Sequence, residues 1–251
     1  MKEKEKTSIA ILHVHTVEGD GLFSFKSLIE RAIQNGFSVI GFFEHDNIET
    51  SIKAKKWALD NNLPIQVAVG VEITSKWFAH IVGIFPTDDY PDENPEMFKT
   101  FKETADWIHQ HNGLVIIPHP ILNPVFWFNH KEWLQEADGI ELLTWQKNRV
   151  TDIFGRVIED WVDKSGKKLA KIGAPDLHHI NGKWKLATEF KGEGLGDLRL
   201  AIINGTTKPV TLDIPDLRIP ITDSLRILYR SIFIDPSKTG RVRAFIKSFR
   251  K

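Results

Sequence analysis

The chain has no cysteine. That excludes disulfides, thiolate metal sites and cysteine nucleophiles, and leaves His, Asp and Glu as the strong metal ligands. It has no excess of either charge, with Lys+Arg and Asp+Glu at 33 each, so the molecule as a whole exerts no general pull on nucleic acid or an anionic surface. Long apolar runs are also missing. No stretch approaches the length that spans a bilayer, and the charged "MKEKEKTS" at the start has no apolar segment of a signal peptide behind it. The expectation is a cytoplasmic protein with a disordered tail over residues 1–8. What is present is ordinary for a globular chain: 251 residues, 41% hydrophobic and 26% charged, enough to bury one large α/β core.

Short apolar runs alternate with helical stripes along most of the chain. "IAILHVH" is followed by "FKSLIERAIQNG", where Leu28, Ile29, Ala32 and Ile33 make one helical face that Gly36 ends. "FSVIGFFEH" reads as a strand and "ETSIKAKKWALDNN" as a helix; "IQVAVGVEIT" and "HIVGIF" read as two strands joined by the short "SKWFA". "PEMFKTFKETADWIHQHNG" predicts a long helix opened by Pro95 and closed by Gly113. "LVIIPHP", "GIELLTW" and "KLAKIGAPD" read as further strands, with helices at "NHKEWLQEA" and "RVTDIFGRVIEDWVDKSG". Repeated strand–helix units imply a parallel sheet, and this many favour one barrel, over residues 9–220. "KPVTLDIPDLRIP" reads as a looser region, leading to a basic helical extension over 221–251 that is not a separate domain.

In such a barrel the site lies at the carboxyl ends of the strands. Ligand-type residues stand at nearly all of them: His13 and His15, with Asp20 close behind; Glu44, His45 and Asp46; Glu72; His119; and Asp176 with His178. His80 opens the run after Glu72, and Glu141 lies near the start of "GIELL". His13 and His15 are two apart, which on a strand points both to one face. Scattered surface histidines would not follow strand ends so closely, and the pattern favours a multinuclear metal centre. Mixed imidazole and carboxylate ligands suit Zn, Mn or Fe. A carboxylate such as Glu72 can bridge two ions, and paired ions can activate water and clamp a phosphate ester.

Taken in order, "LHVHT" with "GDG", "FFEHDN", "GVEIT", "HIVGI", "IIPHP", "GIELL" and "APDLH" resemble the successive motifs of the PHP (polymerase and histidinol phosphatase) superfamily. The resemblance runs from about Ile9 to Val210. It implies a distorted (β/α)7 barrel holding two or three divalent ions. His13, His15, Glu72 and Asp176 would hold the first; Glu72 would bridge to a second completed by His80 and His119; Asp20, His45 and His178 would hold the third. It further implies hydrolysis of a small phosphomonoester, of the sugar, nucleotide or histidinol phosphate class, by a metal-activated hydroxide. The family's usual Thr-Asp-His stands here as Phe43-Glu44-His45, and its Gly-Ser-Asp-x-His as Gly173-Ala174-Pro175-Asp176-Leu177-His178. Glu44 and Asp46 are expected as outer partners that orient ligands.

Two rival functions remain at this stage. A C–N bond hydrolase on a related barrel would use a bridging lysine where this chain has Glu72. A non-catalytic, metal-stabilised binding module would have lost ligands, whereas all nine matching positions are filled. Lys147 and Arg149, after "IELLTW", are candidates for holding the phosphate. Trp77, Trp127 and Trp145 could wall a ring pocket, with "PVFWFN" as an apolar covering loop, while Trp107 and Trp161 read as core. His179 is expected at the rim, and His109, His111 and His130 away from the site. The C-terminal "PSKTGRVRAFIKSFRK" has six Lys/Arg and no acid; it could meet an anionic surface, and more plainly packs its apolar stripe on the body.

Overall fold

The computed structural model describes residues 6–143 and 149–231, with only the backbone at Leu143 and at 149–151. The first half runs β1 (Thr7–Val14), α1 (Phe25–Gln34), β2 (Val39–Phe42), α2 (Glu49–Asp60), β3 (Gln66–Thr74) and β4 (His80–Phe85). It continues with α3 (Phe101–Gln110), β5 (Leu114–Ile117), α4 (Pro124–Glu136), β6 (Gly139–Leu143), α5 (Arg149–Lys164) and β7 (Ala170–Gly173). The chain then adds β8 (Leu186–Lys191), α6 (Gly194–Ile203), β9 (Lys208–Thr211) and α7 (Ile221–Tyr229).

These strands form one sheet in the order β7-β6-β5-β4-β3-β2-β1-β8-β9. It curls into a nearly closed barrel. Across the seam, the Thr188 hydroxyl accepts from the Gly173 N–H and donates to the Gly173 carbonyl, while Thr207 donates to the Lys171 carbonyl. The α/β barrel expected from the sequence is therefore present, but not as an all-parallel sheet. β4 is antiparallel to β3 and β5, and β8 is antiparallel to β1 and β9. A five-residue link such as "SKWFA" cannot carry the crossover a parallel pair needs, so the chain turns straight back. This reversal puts the first residue of β4, His80, at the same end of the barrel as the last residues of its neighbours.

The inner face below the site is aliphatic: Ala10, Leu12, Val39, Ala68, Val82, Ile84, Leu114 and Ile116 are buried in one cluster. α6 stoppers the opposite end, adding Leu198, Ala201 and Ile202 to that cluster. The outer strand faces pack on helices, with Ile11, Val14 and Ile40 against α1 and α2, and Val71, Ile73 and Ile117 against the α3–α5 layer.

Several boundaries differ from the sequence reading. β1 begins at Thr7, so the sheet takes the last two residues of the expected tail. α3 begins at Phe101 instead of near Pro95, because Thr100 and Glu103 form a reciprocal capping box there. "PVFWFN" is not a loop but the opening of α4, capped by the Asn123 side chain. The looser region starts with β9, which pairs with β8. Lys147 and Trp145 lie outside the described residues, as do the Arg149 side chain and the basic segment after Ser231.

Candidate metal centre

Plain strand alternation brings some of the expected residues inward. On β2 the inward series Val39, Gly41, Phe43 leads to His45; on β3, Ala68 and Gly70 lead to Glu72. The absence of a side chain at Gly70 makes room for the Phe43 ring, which floors the site 5.9 Å from the His13 ring. Other residues arrive by breaking the pleat. In β1, Ile11 pairs with Ile40 but Val14 with Phe42, so one extra residue is inserted at His13, whose φ is +64°. Ala10 and Leu12 face the lumen and Ile11 and Val14 the helices. Without this bulge, His13 and His15 would share the face of Ile11. His119 and Asp176 also have positive φ, +28° and +51°, a costly backbone for side chains that β-geometry would otherwise carry.

All nine side chains named by the sequence motifs meet at this end of the barrel. Glu72 is at the centre. Its Oε2 lies 3.2 Å from His13 Nε2, 3.5 Å from His15 Nε2 and 3.2 Å from His45 Nδ1; its Oε1 lies 2.9 Å from His80 Nδ1 and 2.8 Å from His119 Nε2. Asp176 Oδ1 is 3.2 Å from His15 Nε2 and 3.6 Å from both His13 Nε2 and His178 Nδ1. Asp20 Oδ1 is 3.2 Å from His178 Nε2 and 3.5 Å from His15 Nδ1, and its Oδ2 is 3.7 Å from His45 Nε2. His45 thus stands between Glu72 and Asp20, nearer to Glu72.

This donor set fits divalent ions. Both ring nitrogens of His15, His45 Nδ1, Asp20 Oδ1 and Glu44 Oε2 are buried without a hydrogen-bond partner among the described residues, which is costly unless something else satisfies them. Two ligands about 2.0–2.1 Å from one ion stand roughly 3.3 Å apart at the tetrahedral angle, close to the 3.2–3.6 Å separations that link His13, His15, Glu72 and Asp176. Compatible groups of ligand atoms are His13–His15–Asp176, His13–Glu72–His119, His15–His45–Glu72 and His15–Asp20–His178.

Burial and charge oppose one another here. Burial works against protonating His13 and His15, yet the surrounding carboxylates prevail and hold both imidazoles well above their usual range; His119 and His178 are also raised. His45 is pushed well below, by burial and then by His80. Burial would raise Asp20, Glu72 and Asp176, but the imidazoles outweigh it and lower all three.

The outer partners are more varied than expected. Glu44 Oε1 accepts the Thr16 N–H at 2.7 Å, and its Oε2 stands 3.6 Å from His15 Nδ1. A side chain at Gly19 would overlap this carboxylate, so that glycine lets the loop carrying Asp20 close over Glu44. Asp46 accepts from the Thr74 N–H and hydroxyl, pinning the end of β2 to β3. Glu141, given no role from the sequence, is the orienting partner of His13: its Oε1 is 2.7 Å from His13 Nδ1 and its Oε2 accepts the His119 N–H at 2.8 Å. The signal was available, since Glu141 is two residues beyond the inward Gly139.

A cavity of about 830 Å³ opens above the cluster, lined by its residues together with Trp77, Leu122, Val125, Lys183 and α7. Lys183 is the one Lys or Arg lining it among the described residues, and was not singled out from the sequence. Trp127 does not wall this cavity; its ring packs edge-on to Trp161 at 5.0 Å and to Phe154 at 5.3 Å on α5. His179 lines the cavity beside His178, as expected of a rim residue. It is buried, with Nε2 3.3 Å from Asp223 on α7 and Nδ1 accepting the Asn181 N–H. His109 bonds Asp138, His111 bonds the Trp107 carbonyl and His130 stacks on Trp161, all away from the cluster.

Residues 12–189 match the family model of the PHP domain. An uncharacterised protein of Methanocaldococcus jannaschii is 29% identical over 145 residues, 53% of this chain and 80% of that protein. A 5'-3' exoribonuclease of Haemophilus influenzae is 35% identical over 80 residues, but the match spans only 29% of this chain and 27% of the enzyme. Among solved structures, a two-domain protein of Bacteroides vulgatus, described as containing a predicted PHP-like metal-dependent phosphoesterase, aligns with a TM-score of 0.67 at 20% identity, covering 90% of this chain and 70% of that one. That likeness concerns the barrel; the sequence match extends to the strand ends that carry the cluster, and on it the chain belongs to the PHP domain family.

Proposed function

We propose that the protein is a metal-dependent phosphoesterase that hydrolyses a small phosphomonoester. The observation that carries this is the position of Glu72, one carboxylate with an imidazole near each oxygen on both sides, flanked by buried ring nitrogens that have no hydrogen-bond partner among the described residues. In this reading His13, His15, Glu72 and Asp176 hold one ion, Glu72 with His80 and His119 a second, and Asp20, His45 and His178 a third. Divalent ions bound there supply Lewis acidity to phosphate oxygens and lower the pKa of a coordinated water. Glu141 fixes the tautomer and tilt of His13, as outer carboxylates do for ligating histidines. Phe43 closes the floor against water. Lys183, on the cavity wall, offers the phosphate a cation, a role that Lys147 and Arg149 could share.

The rival C–N hydrolase calls for a bridging lysine, and in the arrangement proposed Glu72 would take that place. The test is elemental analysis of the full chain after incubation with Mn or Zn and desalting, followed by a screen of phosphate monoesters and diesters with release of phosphate or alcohol as the signal. Two or three ions per chain and turnover of a monoester are expected. No ion retained with either metal overturns the reading. Turnover of diesters alone moves the substrate class towards that of the exoribonuclease relative.

A further inference from the structure

The walls of the cavity above the cluster are mostly apolar, and they come largely from segments that carry no ligand of the cluster. On one side, Trp77 and Phe78 are consecutive residues with φ of +64° and +60°. Bulky side chains avoid that region, yet here the turn is held: Ser75 N–H and hydroxyl both donate to the Ala79 carbonyl, Lys76 N–H donates to the Lys99 carbonyl, and the Phe78 ring meets Phe98 edge-on at 5.2 Å. The result is two aromatic rings displayed at the mouth, 66% and 51% exposed, beside His80. Leu122, between His119 and α4, and Val125 in the first turn of α4 continue this wall.

On the other side stands α7, which contributes Ile227 and Leu228. None of its residues is fully buried. It is held by polar contacts: Asp223 with His179, and Arg230, whose Nη2 donates to the carbonyls of Val17 at 2.6 Å and Gly19 at 2.8 Å. The helix is thereby latched to the loop that presents Asp20, with Ile227 and Leu228 facing the same space as the ligand cluster.

We infer that α7 and the Trp77–Phe78 turn form an apolar specificity pocket continuous with the metal centre, so that the preferred phosphate ester carries an apolar chain or ring on its alcohol. This rests on the phosphoesterase reading and sharpens its substrate class. Scattered apolar side chains on a surface mean little, but a contiguous apolar wall leading to a buried polar cluster is the usual form of a ligand site.

Alkyl groups test this cleanly, because ethyl and hexyl esters share leaving-group basicity and differ in apolar surface. The metal-loaded full chain is titrated calorimetrically with ethylphosphonic and hexylphosphonic acids, which cannot be hydrolysed, and assayed in parallel with ethyl and hexyl phosphate. A fully buried methylene is worth about fourfold in affinity, so hexylphosphonate is expected to bind at least about tenfold more tightly. Trp77→Ala and Leu228→Ala, both at exposed positions, should each shrink that ratio to about threefold or less with metal content unchanged. Equal affinity for the two chain lengths, or a ratio that neither substitution reduces, overturns the pocket. Chain-length preference in binding with no ester hydrolysed keeps the pocket and removes the phosphoesterase reading. Hydrolysis of both esters at equal kcat/KM does the reverse.

Discussion

In the lower half of the barrel lumen, Ala10, Leu12, Ala68, Ile84 and Ile116 face inward by simple alternation and pack as an aliphatic plug. In the upper half the same strands carry His13, His15, Glu72 and His119, and there β1 is bulged and His13, His119 and Asp176 take positive φ. The lower half is satisfied by any close-packed apolar set, since packing is tolerant of which hydrophobic residue supplies the volume. The upper half needs particular atoms within about a bond length of fixed points, and regular pleating does not deliver all of them. Positive φ within or just after the strands therefore falls at the ligand end and not at the plug residues beneath, the turns at Asn62 and Asn112 apart.

The sharpest way to break this comparison is at Glu72. Glu72→Gln keeps the shape but removes the charge that five imidazoles face, and hydrolysis should fall by about a thousandfold, the several kcal/mol that metal charge stabilisation supplies. Elemental analysis should show ions lost while circular dichroism still reports the barrel. Survival of both metal and turnover would refute the central place given to this residue.

The lower half should respond in the opposite manner. Ile84→Ala leaves a cavity and should cost about 2–5 kcal/mol in chemical unfolding of the metal-free chain, with the same number of ions bound per folded molecule. Loss of ions from this variant would mean the two halves are not separable.

Glu141→Gln sharpens the boundary between them, because it touches no ion in the arrangement proposed. Metal affinity, read by competition with a chelating dye, should drop about 10–100-fold, with His13 still in position.

The pH dependence follows from the charged rings. His13, His15, His119 and His178 titrate above the usual imidazole range in the metal-free site, once neighbouring carboxylates have outweighed burial. At neutral pH an incoming ion must displace their protons, so metal binding should release protons and strengthen as pH rises, by about tenfold per unit for each proton displaced. Calorimetry in buffers of different ionisation enthalpy measures the count. No proton released at pH 7 would be inconsistent with these assignments.

The smallest effect expected is at the latch. Arg230→Ala removes two hydrogen bonds to the carbonyls ahead of Asp20, and retention of the ion assigned to Asp20 and His178 should weaken by less than about tenfold, with the Glu72 ions unaffected. Arg230→Lys should recover part of the loss.

Much of the architecture was legible because the relevant signals are local. The stripe of α1 ending at Gly36, the limits of α2, and the ligand-type residues at strand ends all follow from periodicity and position. The start of α3 differs from the sequence expectation because Pro95 is a weaker start signal than the Thr100–Glu103 capping box, which binds the backbone directly. "PVFWFN" reads as a covering loop because its apolar run has no helical period; in the structure Phe126 faces the core while Phe128 is left in solvent. The latch at Arg230 links residues more than two hundred positions apart in the chain, and no spacing rule reaches that far.

The sequence by itself determined the inventory: nine imidazole and carboxylate side chains at the ends of strands, no thiol to compete with them, and enough alternating elements for a barrel. Only the tertiary structure decided how that inventory meets. The short link after β3 forces β4 to run backwards and carries His80 to the site; the bulge at His13 turns two rings from the helix face to the lumen; and seam closure and polar tethering bring β7 and α7 over the same cavity. Residue type and spacing are properties of a segment, whereas face, direction and closure depend on what the segment pairs with, and that is settled only when the sheet forms.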